Sequence, residues 1–236
     1  MDGLTQTRGQ GLILALDTST EMASIALYRP VEGIIAEQTW LSHREQTTQL
    51  LPTLEKLMLL VGVTISDIGG IAVATGPGSF SGVRIGLSNA KSMAYALQVP
   101  VWGVPTLDAL AYQQVAVTAA QVCAVLKMGR GRLAWAVYRT KGTRWQRLTP
   151  YASGTPQEMA ASVLDRKANI GTLFCGEIDQ LTAATLTEAL GGNASIAPAA
   201  AGARRAGYLA ELALQRASKG EVDDPRILQA IYLQPA

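Results

Sequence analysis

The stretch Ile71-Ala72-Val73-Ala74-Thr75-Gly76-Pro77-Gly78-Ser79-Phe80-Ser81-Gly82-Val83-Arg84-Ile85-Gly86 decides how the rest of the chain is read. A short apolar run, Ile71 to Ala74, reads as a buried strand. A glycine-rich turn follows it, and apolar residues at helical spacing run from Val83 to about Leu97. A glycine-rich loop between a strand and a helix is a common seat for an anion, because the first N–H groups of a helix have no partner within it. Gly76, Gly78 and Ser79 are therefore candidates for a nucleotide or phosphate loop. Yet the spacing matches neither familiar phosphate pattern. Counted from Gly76, both require glycine at position 81, where Ser81 stands, and no Lys-Ser or Lys-Thr follows. Gly82, Gly86, Ala90 and Ala94 recur every four residues, so one side of the helix is a smooth ridge that another element can approach closely. From Gly82 onward, packing or a partner interface is favoured over phosphate binding. Arg84 lies in the first helical turn, where its charge opposes the helix dipole. A carboxylate, a bound anion or plain solvation would each accommodate it.

Working outward toward the N-terminus, Leu12 to Leu16 is a continuous apolar run closed by Asp17-Thr18-Ser19-Thr20, a strand followed by a turn. Met22 to Tyr28 and Ile34 to Trp40 complete a three-stranded meander. The turn at Asp17, Thr18 and Ser19 has two readings. Its N–H and hydroxyl groups could face a phosphate, with the acid holding water or magnesium, or Asp17 could simply bond its own backbone. Leu50, Leu51, Leu54, Leu57, Met58 and Val61 form a helix stripe capped by Gly62. Pro52 in that stripe implies either a start near Leu51 or a kink. Toward the C-terminus, Val99 to Val104 is a strand and Thr106 to Val117 a helix. Gln121 to Leu126 and Leu133 to Arg139 are strands joined by the basic turn Lys127 to Arg132, and Arg144 to Leu148 could extend them. Helices follow at Gln157 to Leu164 and Leu181 to Leu190, with a strand at Ile170 to Cys175 between them. Ala199 to Ala201 and Arg204 to Ser218 read as an alanine-rich C-terminal helix, and Asp224 to Ala236 as an extended tail. Both halves run as a strand meander followed by helices alternating with strands. This α/β order predicts two similar lobes, residues 11–110 with 201–236 and residues 111–200, joined near Ala111 to Ala120. Residues 1–10 read as a loose tail.

Composition narrows the function. The chain has 236 residues, 20 basic and 18 acidic side chains, and only 16 % charged residues against a typical value of about 25 %. A net charge of +2 offers no overall footprint for wrapping nucleic acid. With one histidine, His43, and two cysteines, Cys123 and Cys175, a multi-ligand zinc site and a disulfide framework are excluded. The cysteines read as reduced, buried thiols. His43, in a polar loop, reads as solvent-exposed rather than as a catalytic base. The basic turn Lys127-Met128-Gly129-Arg130-Gly131-Arg132 could meet RNA phosphates or an acidic partner, or be a solvated hairpin. No apolar run is long enough to span a membrane and the N-terminus lacks a signal core, so the expected location is the cytoplasm.

Together, Leu14-Ala15-Leu16-Asp17-Thr18-Ser19-Thr20, Arg44-Glu45 with Leu50-Leu51-Pro52, the Gly76–Gly86 stretch, Gly103-Val104 with Leu107, and Ile231-Tyr232-Leu233 closely resemble the bacterial TsaB family, formerly YeaZ. The resemblance is dense from Leu12 to about Ala111 and thins beyond. It implies a two-lobed fold of the actin/Hsp70/sugar-kinase (ASKHA) type with mixed sheets flanked by helices. It also implies a non-catalytic subunit in the formation of N6-threonylcarbamoyladenosine at position 37 of ANN-decoding tRNAs. The partners implied are the catalytic paralogue TsaD, the ATPase TsaE and, functionally, TsaC; a homodimer could form when the chain is alone, and tRNA is reached only through the complex. ATP and magnesium are used by the complex, with no cofactor, no metal and no catalytic residue on this chain. The partner surface carried over from the family includes Leu50, Leu54, Met58, Gly82, Val83, Gly86, Leu87 and Ala90. The sequence departs from the family at Gln46, where histidine is frequent, and at Lys127 and Arg132, which replace acidic positions. The competing reading is an autonomous ATP-dependent phosphotransferase of the sugar-kinase type, for which only Asp17 and its turn are credible. A peptidase has no visible nucleophile–histidine pair.

Overall fold

The computed structural model describes residues 11–115, 121–141, 144–164 and 171–233. The expected tail at 1–10, the joint beyond Val115 and the strand start at Ile170 lie outside the described residues. The chain divides into two compact units: one runs to Thr106 and resumes over Arg205–Ile231, and the other comprises Leu107–Arg204 and the chain from Tyr232.

In the first unit, β1 (Leu12–Asp17), β2 (Met22–Arg29), β3 (Gly33–Leu41), β4 (Ile68–Ala74) and β5 (Val101–Val104) form one sheet in the order β3-β2-β1-β4-β5. β1, β2 and β3 pair antiparallel, whereas β1–β4 and β4–β5 are parallel. Alternation along the strands sends Leu14, Leu16, Ile25, Leu27, Ile71 and Val73 to one face. There they meet α1 (Gln46–Val61) and α2 (Phe80–Leu97). The opposite face carries the smaller row Ala15, Ala26 and Ala72, and α7 (Ala206–Ala217) packs on that sheet.

The second unit opens with α3 (Thr106–Tyr112) and builds its sheet from β6 (Gln121–Gly129), β7 (Arg132–Lys141), β8 (Arg144–Arg147), β10 (Thr172–Gly176) and β11 (Ala194–Ile196). The order is β11-β10-β6-β7-β8, with the short β9 (Ala152–Gly154) pairing β7 off that path. α4 (Pro156–Leu164) and α5 (Gln180–Leu190) cover one face through Met159, Val163, Leu186 and Leu190. Leu107 and Leu110 cover the other, against Tyr138 and Cys175. Read from the meander edge, each unit is three antiparallel strands followed by two parallel ones. The similarity of the halves is thus one of strand order.

Several elements differ from the sequence reading. α1 starts at Gln46, ahead of Leu50, and Pro52 lies inside it. The early start follows from Gln46, which is buried and donates Nε2–H to the Thr20 carbonyl at 3.0 Å. Gly62 closes α1 with φ 68°. β4 begins at Ile68, after a 3-10 turn capped reciprocally by Thr64 and Asp67. The basic turn shrinks to Arg130-Gly131, with Gly129 opposite Arg132, so Lys127 and Arg132 are strand residues. Both turn residues have positive φ, 53° and 71°, as a tight two-residue hairpin demands. The alanine-rich helix is two helices, α6 (Ala199–Gly202) and α7. They are separated because the Arg204 side chain turns inward, almost fully buried, to Glu177 at 2.8 Å. No helix among the described residues is long and apolar enough to cross a membrane.

Candidate functional site

The turn after β1 and the glycine-rich loop before α2, sixty residues apart in sequence, lie against each other. At Gly76 the chain leaves β4 with φ 92°; its N–H donates to Thr106 Oγ1 at 3.1 Å and its carbonyl accepts the Thr106 N–H at 2.8 Å. The Gly76–Pro77 peptide is cis. Ser79 is the N-cap of α2, its Oγ accepting the Gly82 N–H at 3.3 Å. Ser79 N–H in turn donates to the Ser19 carbonyl at 2.6 Å, and Thr18 Oγ1 donates to the Gly82 carbonyl at 2.6 Å.

The approach is too close for side chains. A Cβ at Gly78 would strike the Ser19 carbonyl oxygen and one at Gly82 the Thr18 carbonyl oxygen. At Gly86 it would stand 2.6 Å from Thr18 Oγ1. The ridge of small residues therefore receives the turn of its own unit. Within the turn, Asp17 Oδ1 accepts the Ser19 N–H at 2.8 Å and the Ser19 hydroxyl at 2.5 Å. Asp17, Thr18, Ser19 and Thr20 are all buried. Asp17 thus bonds its own turn, and the hydroxyls of Thr18 and Ser19 and the N–H groups of Ser19 and Ser79 are taken by protein partners. Gln46 fixes the far end of the turn through Thr20. It was not among the candidate residues, although a polar residue heading an apolar helix stripe was the available signal.

The second unit locks the matching place with different residues. After β10 the chain turns at Gly176, φ 113°, and Asp179 caps α5 by accepting the Thr182 N–H at 2.9 Å. Lys127 on β6 donates its N–H to Glu177 Oε2 at 3.0 Å and its Nζ meets Asp179 Oδ2 at 3.1 Å. The Thr182 N–H first, then the Thr182 side chain and Lys127, hold the Asp179 carboxyl down at about 2. Cys123 and Cys175 are free and fully buried; burial pushes Cys175 up to about 12 and Cys123 also upward, so both remain neutral thiols. His43 is exposed, and so is Arg84, whose guanidinium lies 5.0 Å from the Phe80 ring centroid. Among the described residues no three His, Cys, Asp or Glu side chains gather as metal ligands.

The candidates for a partner surface separate into two sets. Leu50, Leu54, Gly82, Val83, Gly86, Leu87 and Ala90 are buried in the core of their own unit. Only Met58 is partly exposed. It lines a largely apolar groove of about 490 Å³ with Leu51, Leu54, Glu55, Leu59, Val63, Ile65 and Met93. Leu59 and Leu60 are 82 % and 77 % exposed, so α1 carries a markedly apolar outer face.

Two sheets of like strand order, each flanked by helices, define an α/β protein with a fold of the ASKHA type. A ROK family protein from Streptococcus pneumoniae shares this fold at TM-score 0.51 and 13 % identity, over 88 % of this chain and 99 % of that one. YeaZ from Pseudomonas aeruginosa superposes at TM-score 0.78 with 26 % identity, over 94 % of this chain and all of that one. In sequence, the chain is 36 % identical over 128 residues to the tRNA threonylcarbamoyladenosine biosynthesis protein TsaB of Escherichia coli, covering 54 % of each. The match thus spans about half the length of this curated relative. The profile of the family described as TsaD: tRNA N6-adenosine threonylcarbamoyltransferase matches residues 18–226. The chain belongs to this family, on its TsaB (YeaZ) branch.

Proposed function

We propose that the chain serves the formation of N6-threonylcarbamoyladenosine at position 37 of ANN-decoding tRNAs as a non-catalytic subunit. It pairs with a TsaD-type catalytic paralogue, which the TsaE-type ATPase joins, while a TsaC-type enzyme supplies the activated threonylcarbamoyl group. ATP and magnesium act in that assembly rather than on the isolated chain, and a homodimer can form in the partner's absence.

The observation that carries this reading is the closed turn at Asp17–Thr20. In a phosphotransferase of this fold the turn after the first strand must offer donors to a nucleotide. Here Thr18 and Ser19 donate their hydroxyls to the protein, and Gly78 and Gly82 press against their carbonyls. One histidine in the entire sequence also cannot supply a paired-histidine metal site. The exposed apolar face of α1 suits a permanent protein partner.

The test is depletion in the host followed by mass spectrometry of tRNA nucleosides. Loss of threonylcarbamoyladenosine is expected, and unchanged levels would sink the proposal. Tight Mg-ATP binding by the isolated chain in a calorimetric titration would favour the phosphotransferase instead.

A further inference from the structure

The near-neutral total conceals a segregation of charge. From Ala109 to Gln157 there is no aspartate or glutamate. Lys127, Arg130 and Arg132 lie at one end of the β6–β7 hairpin, and Arg139, Lys141, Arg144 and Arg147 on β7 and β8. With a net charge of only +2 overall, the rest of the chain is acidic on balance.

The fold places this segment at a border. β8 is the edge strand of the second sheet, and β9 takes the same partner strand further along. From Arg132 to Lys141, β7 extends roughly 30 Å. Arg130 and Arg139 are exposed, and the Arg147 side chain is 39 % exposed. Register sets Arg139 beside Gln146, on the opposite face from Arg147 and Tyr138, so cations project on both sides of the edge.

The β8 end of the border is pre-organised. Asp108 Oδ1 accepts the Tyr138 and Tyr151 hydroxyls, each at 2.8 Å, and lies 3.4 Å from an Arg147 nitrogen. Arg147 stacks 4.2 Å from the Tyr151 ring centroid. Half-buried Trp145 packs tilted against Tyr112 and Tyr138 at 6.1 and 6.0 Å. Charged edges guard against unwanted strand pairing, but charges of either sign serve that purpose. Asp179 and Asp108 pair with Lys127 and Arg147 at this surface, but no acid lies within the run itself, and its exposed guanidinium groups fit the phosphates of a polyanion backbone.

We propose that the basic β7–β8 border of the second unit binds the phosphate backbone of a folded RNA directly. That the polyanion is an RNA rests on the role proposed above, and the proposal departs from the expectation that tRNA is met only through partner subunits.

The test uses the full chain alone, with an unmodified ANN-decoding tRNA transcript as probe across 50 to 200 mM salt. The chain should bind, with affinity falling steeply as salt rises. Arg139→Gln with Arg147→Gln should weaken binding about tenfold at low salt and flatten the slope of log affinity against log salt by about 1 to 2. Arg130→Gln, at the exposed hairpin tip, should act in the same direction without touching the Asp108 network. Lys56→Gln with Lys219→Gln, exposed lysines of the first unit, should change nothing. Absent binding at 50 mM salt, border variants no weaker than the lysine control, or equal binding of polyglutamate or a DNA hairpin would each overturn the proposal. Because the readout is binding by the isolated chain, such a failure would leave the depletion experiment standing, and the converse also holds.

Discussion

At Gly82 a single hydrogen atom is all that fits between α2 and the Thr18 carbonyl. Alanine in a helix ordinarily gains about 1 kcal/mol over glycine. Here Gly82→Ala must displace backbone rather than a flexible side-chain end, and urea unfolding should show a loss of about 2–3 kcal/mol. A stability gain would disprove the close approach. The every-fourth-residue spacing made the ridge legible in the sequence. Its occupant was not, because the contact from Thr18 to Gly82 is non-local and no local pattern encodes it. Asp179 is the complementary case, a cap with a local cause. Asp179→Ala should cost about 1 kcal/mol at neutral pH. The sign with pH follows from the lowered carboxyl: the stabilisation is complete above the ordinary value of 3.8 and disappears as pH falls toward about 2. Unfolding midpoints of the two proteins should therefore converge between pH 4 and pH 2.

α1 shows what an element adds to its residues. Its buried stripe of Leu50, Leu54 and Leu57 holds the helix to the sheet, while Leu59 and Leu60 face outward. Leu54→Ala should cost about 2–4 kcal/mol, as large-to-small changes in a packed core do. Leu59→Glu should move thermal unfolding by no more than about 0.5 kcal/mol, as an exposed substitution. If this face is the partner surface, Leu59→Glu also abolishes co-purification with the catalytic paralogue; a complex retained at full strength would place the interface elsewhere. The helix stripe was legible in outline, and so were the long strands, because periodicity accumulates over many residues. The three-residue strands β9 and β11 had no room to show a period. The start of α1 was hidden because Gln46 joins the helix through a bond to Thr20, not through apolarity. The break between α6 and α7 was likewise hidden, because Arg204 leaves the helix for Glu177.

Over the whole molecule, the first unit is assembled from two separated lengths of chain, and its completion depends on the returning one. After α7 the chain crosses the free edge of β5. Asp223 pairs with Val101, accepts the Gly103 N–H at 2.7 Å, and takes Arg216 through both carboxylate oxygens at 2.7 and 2.9 Å. Trp102 Nε1–H donates to the Glu221 carbonyl at 2.7 Å, and the Ile231 N–H to the Thr75 carbonyl at 2.7 Å beside the glycine-rich loop. Burial pushes the Asp223 carboxyl up, but Arg216 and the Gly103 N–H outweigh it and leave it below the ordinary range. Its contribution is thus present above about pH 4 and lost on acidification. Asp223→Ala removes the anchor and leaves the Arg216 guanidinium and the Gly103 N–H without it, at an expected cost of about 2–3 kcal/mol given the partial exposure of the pair. A uniform loss would spread over the entire protein. Assembly from two units predicts a local one: amide hydrogen exchange should accelerate in β1, β4 and β5, while β6, β7 and β10 keep their protection. Equal deprotection of both sheets would mean that the units unfold as one, so that the returning strap secures the entire chain rather than the first unit alone.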